Sequence, residues 1–272
     1  MAISLDQIVA STRERVAQSK RATSVQQLER QSQLHVPRGF RRALLQTSTT
    51  GIAVIAELKK ASPSRGVIRA DFNPEDLARE LEKAGAAAFS VLTDEKYFQG
   101  SLVNLQLASQ STKLPCLRKD FILDEFQVLE ARAHRADAIL LIVAALSDSE
   151  LRVLSGRARE LELDVLCEVH DETELSRAVN AGCNVIGVNS RDLRTFDVRL
   201  DTALRLANAI PDYALRVAES GIHNGADIAK LRAAGYQAFL IGEALMKAPS
   251  PGAALKSLIV EAEIAVSNSV SC

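Results

Sequence analysis

Eight short runs dense in Val, Ile, Leu and Ala recur along the 272-residue chain, and longer segments with apolar residues three and four apart fill the intervals. The runs are GIAVIAEL (51–58), AAAFSVL (86–92), LPCLRKD (114–120), DAILLIV (137–143), DVLCEV (164–169), NVIGVN (184–189), ALRVAES (214–220) and QAFLIG (237–242). Apolar strands alternating with amphipathic helices are the mark of a parallel sheet covered by helices. The helical intervals carry their own starts and stops. NPEDLARELEKAG offers Asn73 as N-cap, Pro74 in the first turn and Gly85 past the end, and SDSELRVLSGRARELEL opens on Ser147 with Glu150 three residues on. Ala-Gly pairs at 84–85, 181–182 and 234–235 each precede a strand, as one repeated βα unit would. Eight right-handed units without reversal close into a (β/α)8 TIM barrel, because the last strand arrives beside the first. The competing arrangement, an open doubly wound sheet, usually carries a GxGxxG fingerprint that this chain lacks.

About fifty residues precede the first run, more than a barrel needs. SLDQIVASTRERVAQSK and TSVQQLERQSQL read as one or two helices, followed by a polar connection through VPRGF. The expected organisation is a helical extension over 1–50 and a barrel over 51–268. Sequence alone leaves open whether the extension covers the bottom of the barrel or reaches over its mouth. RGFRRAL (38–44) reads as a solvated basic loop edge rather than a nucleic-acid site. The last outer helix is expected over SPGAALKSLIVEAEIAV, with SNSVSC as a frayed tail.

Composition narrows the function classes. Lys plus Arg number 33 against 34 Asp plus Glu, and a net charge of -1 offers no general field for nucleic acid or an anionic membrane. Any anion must be caught locally. The longest apolar run, AILLIVAAL, is about half of what a membrane span needs, and the N-terminus lacks the pattern of a signal peptide. The expectation is a cytoplasmic protein, a monomer by preference, with no nucleic-acid or membrane partner. Cys116, Cys167, Cys183 and Cys272 form no CxxC knuckle; the first three read as reduced core thiols and the last as tail, although spacing alone does not exclude a disulfide. His35, His134, His170 and His223 have no metal-ligand spacing, so no metal site is assigned.

In such barrels the active site is built at the C-terminal strand ends. The first run ends with Glu57 and Lys59, the third with Arg118, Lys119 and Asp120, and the fifth with Glu168. The sixth ends with Asn189, followed by Arg191, and the seventh with Glu219 and Ser220. The second and fourth end on Thr93 and on apolar residues. One charge at a strand end is usually a solvated edge or a structural ion pair. Three carboxylates and two lysines aimed at one cavity instead describe acid and base chemistry. Alternation along the first strand turns Lys59 inward with Glu57 and Lys60 outward. Gly221 and Gly242, where the seventh and eighth runs enter their following turns, suit a phosphate loop.

The strand ends in order, IAELKKASPSRG, YFQGS, LRKDFILD, LLIVAAL, LCEVHDE, IGVNSRDL, VAESGI and FLIGEALM, resemble the indole-3-glycerol-phosphate synthase family over about residues 52–246. The resemblance implies ring closure, decarboxylation and dehydration of 1-(2-carboxyphenylamino)-1-deoxyribulose 5-phosphate in tryptophan biosynthesis, with no cofactor or metal. It implies Lys119 as general acid toward the substrate ketone, with the lowered pKa of a buried lysine near other cations. Glu168 is implied as the base for dehydration, and Glu57, Lys59, Asn189 and Glu219 as orienting groups; whether Lys59 is also the acid for dehydration stays open. Phosphate contacts carry over to Ser62, Ser220, Gly221, Gly242 and the backbone amide of Glu243. Arg191 and Leu240 join the substrate contacts, and Phe98, Phe121, Leu140 and Leu193 correspond to apolar walls for the anthranilate ring. A phosphoribosylanthranilate isomerase would need a cysteine at the end of the first strand, where this chain has Glu57 and Lys59. A catalytically silent barrel would not need the charged strand ends.

Overall fold

The computed structural model describes residues 4–191 and 199–270. Its eight main strands are β1 (Ala53–Leu58), β2 (Ala88–Leu92), β3 (Cys116–Lys119), β4 (Ala138–Ile142), β5 (Asp164–Val169), β6 (Val185–Asn189), β7 (Leu215–Glu219) and β8 (Ala238–Ile241). Each pairs in parallel with the next, and β8 pairs with β1, with Ala53 opposite Ala238 and Ile55 opposite Leu240. The sheet is therefore a closed (β/α)8 barrel, and the open-sheet arrangement is excluded. Every expected run contains one of these strands.

Strand alternation sorts the side chains into two cores. Ala53, Ile55, Leu117, Leu140, Leu166, Val185, Val217 and Leu240 fill the barrel interior. Residues of the opposite parity, such as Val54, Ala56, Ile139, Cys167, Ile186 and Phe239, pack outward against the helices. The inward parity of β1, β3, β5, β6 and β7 ends on Glu57, Lys119, Glu168, Asn189 and Glu219. A polar layer thus caps an apolar barrel at its C-terminal end.

The N-terminal extension does both of the things that sequence left open. Its first helix, Leu5–Ala22, is capped by Ser4 and Gln7 and lies at the mouth, where Arg15 grips both oxygens of Asp120 at 2.7 and 3.2 Å and Lys20 reaches Asp124 at 2.6 Å. Val16 and, from the second helix (Val25–Ser32), Leu28 pack on Phe126, Leu129 and Ala133. A third helix, Phe40–Thr50, buries Phe40 and Leu44 completely as a plug in the bottom of the barrel.

Several expectations need correction here. RGFRRAL is not a solvated loop edge: it enters that third helix, Arg38 embraces the buried Asp137, and the Arg41 backbone N–H donates to Asp164 at 2.9 Å. The last helix runs Pro251–Val270, so the expected tail is helical through four more residues, and Ser267 Oγ bonds back to the Glu263 carbonyl. Cys167 and Cys183 are not separate thiols but joined as a disulfide, with Cα atoms 6.4 Å apart, because one βα unit brings β5 and the entry to β6 side by side. Cys116 is a buried free thiol as expected, and Cys272 lies outside the described residues. Among the described residues no helix is long and apolar enough to cross a membrane.

Candidate active site

A cavity of about 600 Å³ opens at the C-terminal end of the barrel. Every expected site residue lines it except Leu193, which lies outside the described residues. Glu57 and Lys59 come from β1 and its extension, Lys119 from β3, Glu168 from β5, Asn189 from β6 and Glu219 from β7. Lys60, as alternation requires, does not line it. Asp120 also reaches the cavity wall, while its strand neighbour Arg118 points outward and is wholly buried against Asp120, Glu130, Thr93 and the Gln127 carbonyl.

Lys119 stands at the centre. Its Nζ donates to Glu168 Oε2 at 2.7 Å and to Glu219 Oε2 at 2.8 Å. Lys59 pairs with Glu57 on the adjoining wall. Burial alone would lower the Lys119 amine; Glu168, Glu219 and Glu57 outweigh it and raise it. This reverses the expected lowered value, because the neighbours of Lys119 are carboxylates and not cations. Burial pushes both glutamates toward the neutral form, and the two then diverge. Lys119 and the His170 imidazole hold Glu168 well below the usual carboxylate range. Glu219 is pushed up to about 7, because burial and the Glu168 charge outweigh Lys119. Its Oε1 has no hydrogen-bond partner among the described residues although the side chain is buried.

Two absences make room for these carboxylates. A Cβ at Gly187 of β6 would overlap Glu219 Oε1, and one at Gly242 would overlap Glu57 Oε1. At the end of β7, Ser220 holds the left-handed conformation (φ 64°) followed by Gly221 (φ 76°). A serine there carries strain of about 1–3 kcal/mol, of the sort that collects in ligand-binding turns. Gly242 leads into the short helix Glu243–Lys247. The Glu243 carboxylate is not idle: it pairs with Lys247 at 2.6 Å, Arg65 at 3.3 Å and Arg191 at 3.7 Å, so three cations surround one anion on this side of the cavity.

The opposite wall is apolar. Phe98 and Phe121 sit with ring centroids 6.4 Å apart, and Leu140 and Leu240 rise from the barrel interior below them. Sequence reasoning missed several contributors, among them Leu5 and Ile8 from the first helix, and Arg65 and Lys247 beside Glu243. Leu5 and Ile8 were readable only as one apolar helix stripe, which does not say what it faces. Among the described residues no group of three or more His, Cys, Asp or Glu side chains is arranged to hold a metal ion.

A family model described as indole-3-glycerol phosphate synthase matches residues 5–258. The chain belongs to the indole-3-glycerol phosphate synthase family. The family's chemistry, that of a carboxy-lyase in tryptophan biosynthesis, suits the paired lysines and carboxylates. The indole-3-glycerol phosphate synthase of Koribacter versatilis is 58% identical over 259 residues, spanning 95% of this chain and 100% of that protein. That of Acidithiobacillus ferrooxidans is 49% identical, spanning 94% and 98%. That of a Polaromonas species is 48% identical, spanning 93% and 97%. Among solved structures, thiamine phosphate pyrophosphorylase from Pyrococcus furiosus superposes with a TM-score of 0.61 at 18% identity, over 83% of this chain and 98% of that one. This last likeness concerns the fold alone. The family match begins at Leu5, so the helix over the mouth is part of the family's chain and not an appendage to it.

Proposed function

We propose that Lys119, Glu168 and Glu219 divide among them the proton transfers of the family reaction, the conversion of 1-(2-carboxyphenylamino)-1-deoxyribulose 5-phosphate to indole-3-glycerol phosphate, CO2 and water. The observation that carries this reading is one ammonium group held at 2.7 and 2.8 Å between two buried carboxylates whose proton affinities are driven apart.

The substrate's aromatic carbon that bears the carboxylate bonds to the ketone carbon. The carbonyl π electrons move to oxygen, which takes a proton from Lys119. The raised affinity of Lys119 keeps it in the ammonium form required of a donor, and the forming alkoxide is basic enough to draw the proton. Loss of CO2 returns the bonding pair to the ring. The new hydroxyl then leaves as water with a proton supplied by an ammonium group. Lys59, paired with Glu57, and Lys119, recharged by Glu219, are the two candidates. Glu168, ionised, removes the proton from the methylene carbon and completes the indole.

Asn189 orients the intermediate's hydroxyls, and its Oδ1 already fixes the following turn by accepting the Arg191 backbone N–H at 3.0 Å. The phosphate is assigned to Ser62, Ser220, Gly221, Gly242 and the Glu243 amide, with Arg191, Arg65 and Lys247 supplying positive charge. Phe98, Phe121, Leu140 and Leu240 receive the anthranilate ring. The reading includes a helical extension over 1–50 on a catalytic barrel over 51–268, a cytoplasmic location and a monomer as the working unit.

The test is incubation with the carboxyphenylamino-deoxyribulose phosphate while indole fluorescence is followed. The folded protein is expected to turn it over, and no signal would sink the proposal. Glu168→Gln should arrest dehydration while substrate affinity stays within about tenfold. Preserved turnover in that variant would remove Glu168 from its role.

A further inference from the structure

We infer that His170 is a positioning residue for this reaction: clamped between Glu174 and Glu168, it fixes the face that Glu168 turns to Lys119 and keeps Glu168 ionised while Lys119 is discharged. The inference rests on the assignment of Glu168 as the base.

His170 follows the last residue of β5 and does not line the cavity. Its side chain is 13% exposed. Glu174, in the first turn of the helix Glu172–Asn180, holds it twice through one oxygen. Glu174 Oε2 accepts the His170 backbone N–H at 2.8 Å and lies 2.9 Å from Nδ1. The other ring nitrogen, Nε2, is buried and has no hydrogen-bond partner among the described residues; its nearest charge is Glu168 Oε1 at 3.5 Å. That is the oxygen that Lys119 leaves unused, since Lys119 bonds Oε2. Glu168 is therefore divided, with one oxygen inward to the ammonium and the other outward to the imidazole.

The groups that bear on this arrangement come from every packed element. Glu168 faces Lys119 of β3 and His170, and through Lys119 it shares a cation with Glu219 of β7 and Glu57 of β1. His170 faces Glu168 and Glu174. Charges thus alternate outward from the cavity as Glu219, Lys119, Glu168, His170 and Glu174. Burial would lower the imidazole, but its two carboxylate neighbours raise it to about 10, so it is a cation at neutral pH. The consequence lies in the order of steps. When Lys119 gives its proton to the ketone, Glu168 loses its inner countercharge beside two other carboxylates. An imidazolium on its outer oxygen is then the cation that keeps Glu168 from taking up a proton before the methylene proton is offered. A cation behind a carboxylate also makes it a weaker base, so the arrangement trades basicity for readiness.

The experiment is the pH profile of kcat for His170→Asn beside the unaltered protein, from the lowest pH at which both stay folded up to pH 9, so that the limb of a depressed Glu168 falls within the span. Loss of an opposite charge at this distance is expected to move the acid limb up by about one to three pH units, with KM within about threefold. Turnover should recover toward high pH. An unmoved limb, with turnover either unchanged or lowered evenly at every pH, overturns the inference. If His170→Asn does not fold, Glu174→Gln gives the reading, because it leaves the ring in place and weakens its charge. A smaller shift in the same direction is expected there, and no shift again overturns the inference. Glu168→Gln run in parallel keeps the two ideas apart. An active Glu168→Gln would refute the base, whereas an inactive one together with an unmoved His170→Asn limb would refute the role of His170 alone.

Discussion

The two ends of the barrel each bury a carboxylate beside a cation, and they do so to opposite effect. At the bottom, Asp137 is wholly buried and fully engaged: the Arg38 guanidinium, the backbone N–H groups of Arg38 and Cys116, and His35 Nε2 surround its two oxygens at 2.6–3.1 Å. At the mouth, Glu219 is just as buried, yet one oxygen has no partner among the described residues and its remaining oxygen shares a single lysine with Glu168. The first arrangement holds Asp137 below its usual range, and the second pushes Glu219 up to about 7. Complete pairing fastens the plug helix to the barrel. Incomplete pairing leaves a group able to exchange a proton near neutrality, at a cost in stability.

This contrast can be broken at either end. The largest effect is expected from Lys119→Met, which should lower turnover by about 10³-fold or more while circular dichroism shows a folded chain. Residual turnover within tenfold would show that the mouth cluster is structural after all. At the bottom, Asp137→Ala should cost about 3–5 kcal/mol in urea unfolding, because it strands the Arg38 guanidinium and the amides around it, with turnover per folded molecule within about twofold. An Asp with a depressed folded pKa contributes stability above its ordinary range, near 3.8, and loses it as pH falls through the folded value. The difference between Asp137→Ala and the unaltered protein should therefore vanish in strong acid.

Glu219→Gln sharpens the comparison with the opposite sign. A carboxyl raised in the fold penalises stability once pH climbs from the ordinary glutamate range, near 4.5, through about 7. The variant should melt higher than the unaltered protein at pH 8, the gain should shrink toward pH 5, and turnover should fall. A gain that does not depend on pH would contradict the raised value. The smallest effect is expected from Arg15→Ala, whose side chain is 29% exposed. Asp120 keeps Arg118 and Thr93, so the barrel should stay intact. Hydrogen exchange should quicken in the helix Leu5–Ala22 and KM should rise a fewfold, since Leu5 and Ile8 line the cavity. Unaltered exchange there would show that the helix is held without Arg15, by its apolar packing and its other polar ties such as Lys20 to Asp124.

The mouth was far more legible in the sequence than the bottom, and the reason is periodicity. Once eight apolar runs are counted, alternation places Glu57, Lys119, Glu168 and Glu219 on one inner layer with no knowledge of tertiary contacts. The plug helix left no comparable trace. It starts at Gly39, in a left-handed conformation with no side-chain cap, and the partner that buries Arg38 lies 99 residues away. A basic stretch without a visible partner reads as solvated. Lys119 failed in a related way: its layer was legible but which charges of that layer lie against its amine was not, because Glu168 and Glu219 reach it from 49 and 100 residues along the chain. His170 was set aside for want of metal-ligand spacing, although Glu174 four residues on was a visible signal of an imidazole held against a carboxylate.

The two glycines beneath the carboxylates carry a lesson for anyone transplanting this chemistry. Copying Glu57, Lys59, Lys119, Glu168, Asn189 and Glu219 onto another barrel would transfer the reagents without their seats. An alanine at the position of Gly187 or Gly242 would occupy the space where Glu219 or Glu57 has to lie. The blueprint of the site therefore includes positions defined by having no side chain, and a graft that ignores them would install the right groups in the wrong places.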